Sequence, residues 1–167
     1  VVETGLHRLL SFDADDRPSS PVVVGARGGG DGEFNFPVAI TLDPERMWIG
    51  DTLNFRVQAF DRGTADYRRS FGSVGDSPGE MPRIKGIALD ASGHLWVSDA
   101  HLDVVGISSA DGRFFTHIGQ SGSEPWEFSF PAGVAAGPDG RMAVVDSLNR
   151  RIQVFRVTPP KRKGTAR

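Results

Sequence analysis

Four carboxylates recur along this chain at nearly constant spacing: Glu3, Asp51, Asp99 and Asp146, separated by 48, 48 and 47 residues. Acidic groups repeated at one position of a unit could converge as a ring of acceptors around a cation. Their sequence neighbours favour a different role. In three of the four units an arginine follows five residues on (Arg8, Arg56, Arg151), across a short turn-like string. A carboxylate at such a turn accepts backbone N–H groups and pairs with the guanidinium beyond it. A catalytic group is needed once, whereas this one recurs in every unit. The carboxylates are therefore read as builders of structure.

Other residue types with chemical potential are weaker candidates. His7, His94, His101 and His117 occupy four different repeat positions, so they do not converge as zinc ligands would. The glycine-rich strings 25–32, 72–79 and 119–122 are not followed by Gly-Lys-Ser/Thr, and no helical pattern stands behind them. They read as links between units, where glycine supplies positive φ. Without cysteine there are no disulfides or thiolate sites, and the redox compartment stays open. No metal or other cofactor is expected.

The elements that must position these residues form a repeat of about 47 residues. Glu33, Glu80 and Glu127 mark it, at intervals of 47 and 47. Each unit opens on a Gly-rich link and a short β-rich run: Val38–Leu42, Ile84–Leu89 and 131–136. Large residues (Val38, Ile40, Leu42; Ile87, Leu89) alternate with small ones (Ala39, Thr41; Gly86, Ala88; Gly133, Ala135). That alternation suits a strand at a crowded centre, with a neighbouring sheet close by. Asp/Pro/Gly turns lead to a second strand, a tight turn, a third strand and a fourth. Four antiparallel strands per unit predict an all-β fold, the β-propeller.

The strings DTLNFRVQAF (51–60) and DSLNRRIQVF (146–155) resemble the second half of an NHL repeat. EFNFPVAI (33–40) and EFSFPAGV (127–134) resemble its first half. The resemblance covers residues 1 to about 157 and recurs in register. It implies an NHL-type propeller with four-stranded antiparallel blades, in a family whose members are usually six-bladed platforms for protein or RNA. The expected division is a partial blade 1–24, blades 25–71 and 72–118, a three-stranded blade 119–157, and a basic tail 158–167. The first unit should hold about two strands. Such a ring is incomplete in one chain. The chain is expected to be the C-terminal part of a longer propeller, or one of two copies that close a ring as a homodimer. Bacterial members tend to be exported, which implies a periplasmic or extracellular place, though nothing in the residues fixes the compartment.

The third unit departs from the pattern. Val104 stands where the others have arginine, and Ser108 where they have Phe12, Phe60 and Phe155. Its third strand is expected to be less well anchored.

Net charge is −2, from 19 Lys and Arg against 21 Asp and Glu, which argues against a general polyanion binder. No run approaches about 18 apolar residues, so no membrane span is expected. In a propeller, the turn after strand two and the link before strand one share a face. The candidate binding residues there are Asn54, Phe55, Arg83, Lys85, His101, Trp126, Asn149 and Arg150. Phe36 and Phe130 are expected to wedge between blades. The mixed face suits a non-enzymatic scaffold for a protein partner. Single-stranded RNA on the same face is the alternative, and a metal-dependent lyase or lactonase chemistry the second alternative.

Overall fold

The computed structural model describes residues 1–12 and 21–156. The expected basic tail lies outside them. The described chain forms four antiparallel sheets, one per repeat. The first holds β1 (Val2–Glu3), β2 (Arg8–Ser11) and β3 (Val22–Val24). The second holds β4 (Pro37–Leu42), β5 (Arg46–Asp51), β6 (Arg56–Asp61) and β7 (Tyr67–Phe71). The third holds β8 (Ile84–Leu89), β9 (His94–Asp99), β10 (Val104–Ser109) and β11 (Phe114–Ile118). The fourth holds β12 (Pro131–Ala136), β13 (Arg141–Asp146) and β14 (Arg151–Arg156). The first sheet has one strand more than expected, because Val2 and Glu3 pair with Leu9 and Arg8.

Turn chemistry sets the hairpins. Asp43 Oδ1 accepts the N–H groups of Glu45 (2.8 Å) and Arg46 (2.6 Å) between β4 and β5. Asp90 Oδ1 does the same for Ser92 (2.8 Å) and His94 (2.9 Å) between β8 and β9. An Asx side chain that mimics a backbone turn in this way explains why aspartate opens both loops.

The sheets stack face to face, with β4, β8 and β12 side by side. Each interface has its own apolar core. Leu9, Val24, Phe34, Ile49 and Phe60 fill the first; Trp48, Val57, Ile84, Leu95 and Val97 the second; Trp96, Val105, Phe128, Val144 and Phe155 the third. Phe34 and Phe128 are the fully buried aromatics of these cores, while Phe36 and Phe130, two residues on, lie at the seams with the preceding unit, Phe36 against His7 and Phe130 against Arg83 and Lys85. The small residues of the inner strands face the next sheet. A Cβ on Gly86 would lie 2.5 Å from Ala132 O of β12.

The outer face of the fourth sheet is different. Ile152 and Val154 are 64% and 59% exposed, whereas Val57 and Val105, the counterparts of Ile152, are fully buried.

Candidate functional site

In each of the last three sheets, the link before the first strand lies beside the turn after the second. Leu53 N–H donates to Asn35 O (2.9 Å), Ala100 N–H to Arg83 O (3.0 Å) and Leu148 N–H to Ser129 O (3.0 Å). These backbone bonds place both loops of a unit on one face. Neighbouring units are joined there as well. Phe36 N–H donates to His7 Nδ1 (3.1 Å), and Phe130 N–H to Asp103 Oδ1 (2.7 Å), each reaching back to the preceding unit.

Below this face sit the repeated carboxylates. Asp51 is buried and accepts from Asn35 N–H (2.6 Å), Asn54 Nδ2 (2.8 Å), Arg56 Nε (3.0 Å) and Gln58 Nε2 (3.1 Å). Asp146 repeats the pattern with Ser129 N–H (2.8 Å), Asn149 Nδ2 (3.0 Å), Arg151 Nε (2.7 Å) and Gln153 Nε2 (3.1 Å). Each arginine also donates to carbonyls of its Gly-rich link, Arg56 Nη2 reaching Gly30 O (2.7 Å) and Glu33 O (3.0 Å). The carboxylate thus ties the second strand, the third strand and the link together. Among the described residues, no group of three or more His, Asp or Glu has the arrangement of a metal site.

Burial raises the Asp146 pKa, but the donors from Ser129, Asn149, Arg151 and Gln153 outweigh it and hold the carboxyl below its usual value. A group depressed in the folded state contributes stability above its unfolded pKa of about 3.9, and loses it as pH falls through the folded value. The melting temperature is therefore expected to fall as pH drops from 5 towards 2.5. Asp146→Asn should lower it at pH 7 and flatten that acid slope. Thermal unfolding followed by circular dichroism across this range checks both. An unchanged slope in the variant would contradict the assignment.

The eight residues expected on the face behave in different ways. Asn54 and Asn149 are turned inward: their amides donate to Asp51 and Asp146, and across to Gly28 O (2.8 Å) and Gly122 O (2.8 Å). Their reach is spent on the fold. Phe55 and Arg150 occupy left-handed backbone positions at the turn, φ 58° and 54°, with Arg150 exposed. His101 is exposed, and its N–H donates to Asp99.

Arg83 and Lys85 are brought together on one ring. The Arg83 guanidinium lies 5.3 Å and the Lys85 ammonium 5.5 Å from the Phe130 centroid. Phe130 therefore belongs to the face, which its repetition in the sequence obscured. Trp126 stands with Phe155 instead, their centroids 4.7 Å apart. It has φ 71° where the repeat places Gly32 and Gly79, and its indole is 59% exposed. In the second sheet Tyr67 packs on Phe60, the counterpart of Phe155, at 5.9 Å. Trp126 thus fills a place that a fourth-strand aromatic takes elsewhere.

No family model matches the chain. Over 145 residues it is 26% identical to the E3 ubiquitin-protein ligase TRIM32 of Mus musculus, covering 80% of this chain and 21% of that protein. Among solved structures it is similar to the WD40 repeats of RRP9, with a TM-score of 0.60 at 13% identity, covering 90% of this chain and 45% of that one. WD40 repeats build radial blades of four-stranded sheets. The chain has a β-propeller fold. A streptogramin B lyase is also similar, with a TM-score of 0.65 at 14% identity, covering 94% of this chain and 50% of that one. The chain thus spans about a fifth of the curated relative and about half of these solved structures. Because propellers of this kind include a lyase, the fold by itself does not choose between catalysis and binding. The four sheets described above are blades, and no helix among the described residues is long and apolar enough to cross a membrane.

Proposed function

We propose that the chain is part of an NHL-type propeller that serves as a non-enzymatic platform for a protein partner, bound on the loop face. The observation that carries this reading is the Arg83–Phe130–Lys85 cluster. There two cations and an aromatic ring meet at the seam of two blades, while the recurring polar groups around Asp51 and Asp146 are consumed internally. Aromatic and arginine side chains anchor protein interfaces more than other residues do. His101 and Arg150 extend the patch, and the similarity to TRIM32 agrees with an NHL assignment. The apolar flank at Ile152 and Val154 is a separate surface, suited to further blades or a second copy.

The test is proximity labelling and affinity capture with the chain and with an Arg83→Ala/Lys85→Ala/Phe130→Ala variant of unchanged melting temperature. The wild type is expected to retain a specific set of proteins that the variant loses. An identical set from both would remove the reading.

Single-stranded RNA is the second reading of the same cluster, since bases stack on aromatic rings beside cations. Affinity for an oligonucleotide that falls steeply with salt, and is lost in the variant, would select RNA. Flat salt dependence would dismiss it.

A further inference from the structure

The third blade contains a cavity of about 210 Å³ between its sheet and the Gly-rich link before it. Its origin lies in four positions of the repeat. Val104, Gly106, Ser108 and Met81 stand where the second blade has Arg56, Gln58, Phe60 and Phe34. The fourth blade has Arg151, Gln153, Phe155 and Phe128 there. In those two blades the arginine, glutamine and phenylalanine fill the space between sheet and link. In the third blade that space is open.

The receptor for the missing arginine is still present. Arg56 donates to Asp51, Gly30 O and Glu33 O. The counterparts Asp99, Ser77 and Glu80 all line the cavity. Asp99 is 3% exposed and, among the described residues, accepts only backbone N–H groups, from Arg83, His101 and Leu102. No cation pairs with it among the described residues. A second polar group is also without a partner among the described residues: Ser108 is 3% exposed, its Oγ makes no hydrogen bond there, and it lines the same cavity. A buried unpartnered hydroxyl and a buried unpaired carboxylate both cost stability unless a ligand satisfies them. Most of the remaining wall is apolar, built from Met81, Val97, Leu102, Val104, Ile107 and Phe114, with Asp76 and His117 also lining it. The size is below the roughly 300 Å³ at which drug-sized ligands begin, and fits one long side chain.

We infer that this cavity is a receptor for an arginine side chain supplied from outside the blade. The guanidinium would sit on Asp99 and the carbonyls of Ser77 and Glu80, and the aliphatic stem between the apolar walls. Arginine is favoured over lysine because the acceptors form a fork that holds a planar guanidinium in the neighbouring blades. The arginine can belong to a peptide or be the free amino acid. The inference does not rest on the loop-face reading, because Arg83, Lys85 and Phe130 are not among the residues lining the cavity.

Calorimetric titration of the chain with N-acetyl-Gly-Arg-Gly-amide, the same peptide with lysine, and free L-arginine tests it. The arginine peptide is expected to bind at least tenfold more tightly than the lysine peptide. Tighter binding of the peptide than of free arginine would assign the source to a protein partner, and the reverse to a small molecule. Asp99→Asn should weaken binding at least tenfold. Val104→Arg/Gly106→Gln, which rebuilds the internal plug, should abolish binding and raise the melting temperature. Arg83→Ala/Lys85→Ala should leave binding intact, which separates this site from the loop face. Equal affinity for the arginine and lysine peptides, no binding at millimolar ligand, or binding unaffected by Asp99→Asn would each overturn the inference.

Discussion

Asp51→Ala is expected to cost about 3–5 kcal/mol, the range found when one partner of a buried ion pair is removed. The carboxylate is fully buried, and Arg56, on its far side, is only 12% exposed. Removal would leave the Arg56 guanidinium without its carboxylate and the Asn35 N–H without its acceptor, and would take from the Gln58 and Asn54 amides one of their two acceptors. Against a total folding stability of about 5–15 kcal/mol, this is enough to unfold much of the population. Asp99→Ala provides the contrast. It removes an acceptor of three backbone N–H groups but leaves no cation unpaired, so the expected cost is about 1–3 kcal/mol. Urea unfolding of both variants, compared at equal slope, measures the difference. Equal losses would mean that the carboxylate acts as a turn acceptor alone, with the arginine contributing nothing.

The contrast between these two blades also shows what could be read without a structure. The interval of 47 residues places the strands, because the units repeat turn-forming residues of the Asp, Pro and Gly kind and a similar alternation of large and small residues. The Asp–Arg pairing five residues apart is legible too, since a tight turn can bring those positions into reach. Val104 and Ser108 are different. They suggest a loosened third strand, yet β10 pairs with β9 over all six of its residues, as β6 does with β5. Backbone ladders do not depend on which side chain each residue carries. The lost volume therefore appears as a cavity beside the strand.

The inward turn of Asn54 and Asn149 was hidden for a related reason. Position in a loop says that a residue lies on the face. It does not say that its amide turns back to an aspartate three residues earlier and across to a link carbonyl. Trp126 carried a readable signal: its repeat partners Gly32 and Gly79 mark a left-handed backbone position. A tryptophan there has to gain something from its placement, and contact with Phe155 is the gain.

Gly86 should be the least replaceable small residue of the inner strands. Ala39, Gly86 and Gly133 occupy the same repeat position, so a family-wide argument would treat them alike. The geometry separates them. A Cβ on Gly86 would lie 2.5 Å from Ala132 O, 2.9 Å from Val134 N and 3.1 Å from Gly133 Cα. All three are backbone atoms of β12 and cannot rotate aside. Relief requires β8 and β12 to separate, which opens the core around Trp96, Phe128 and Val144 and pulls the Ser98 hydroxyl from Ala132 O. A Cβ on Gly133 would meet only Val145 Cγ2, at 3.4 Å. Gly86→Ala is therefore expected to cost about 1–3 kcal/mol and Gly86→Val more, whereas Gly133→Ala should stay within about 0.5 kcal/mol. At about 2–4 °C per kcal/mol for a chain of this size, thermal unfolding resolves the pair easily. If both alanine variants melted together, close approach of the inner strands would not be what selects glycine. The alternation of large and small residues would then reflect strand pattern alone, and the blades could move apart without loss.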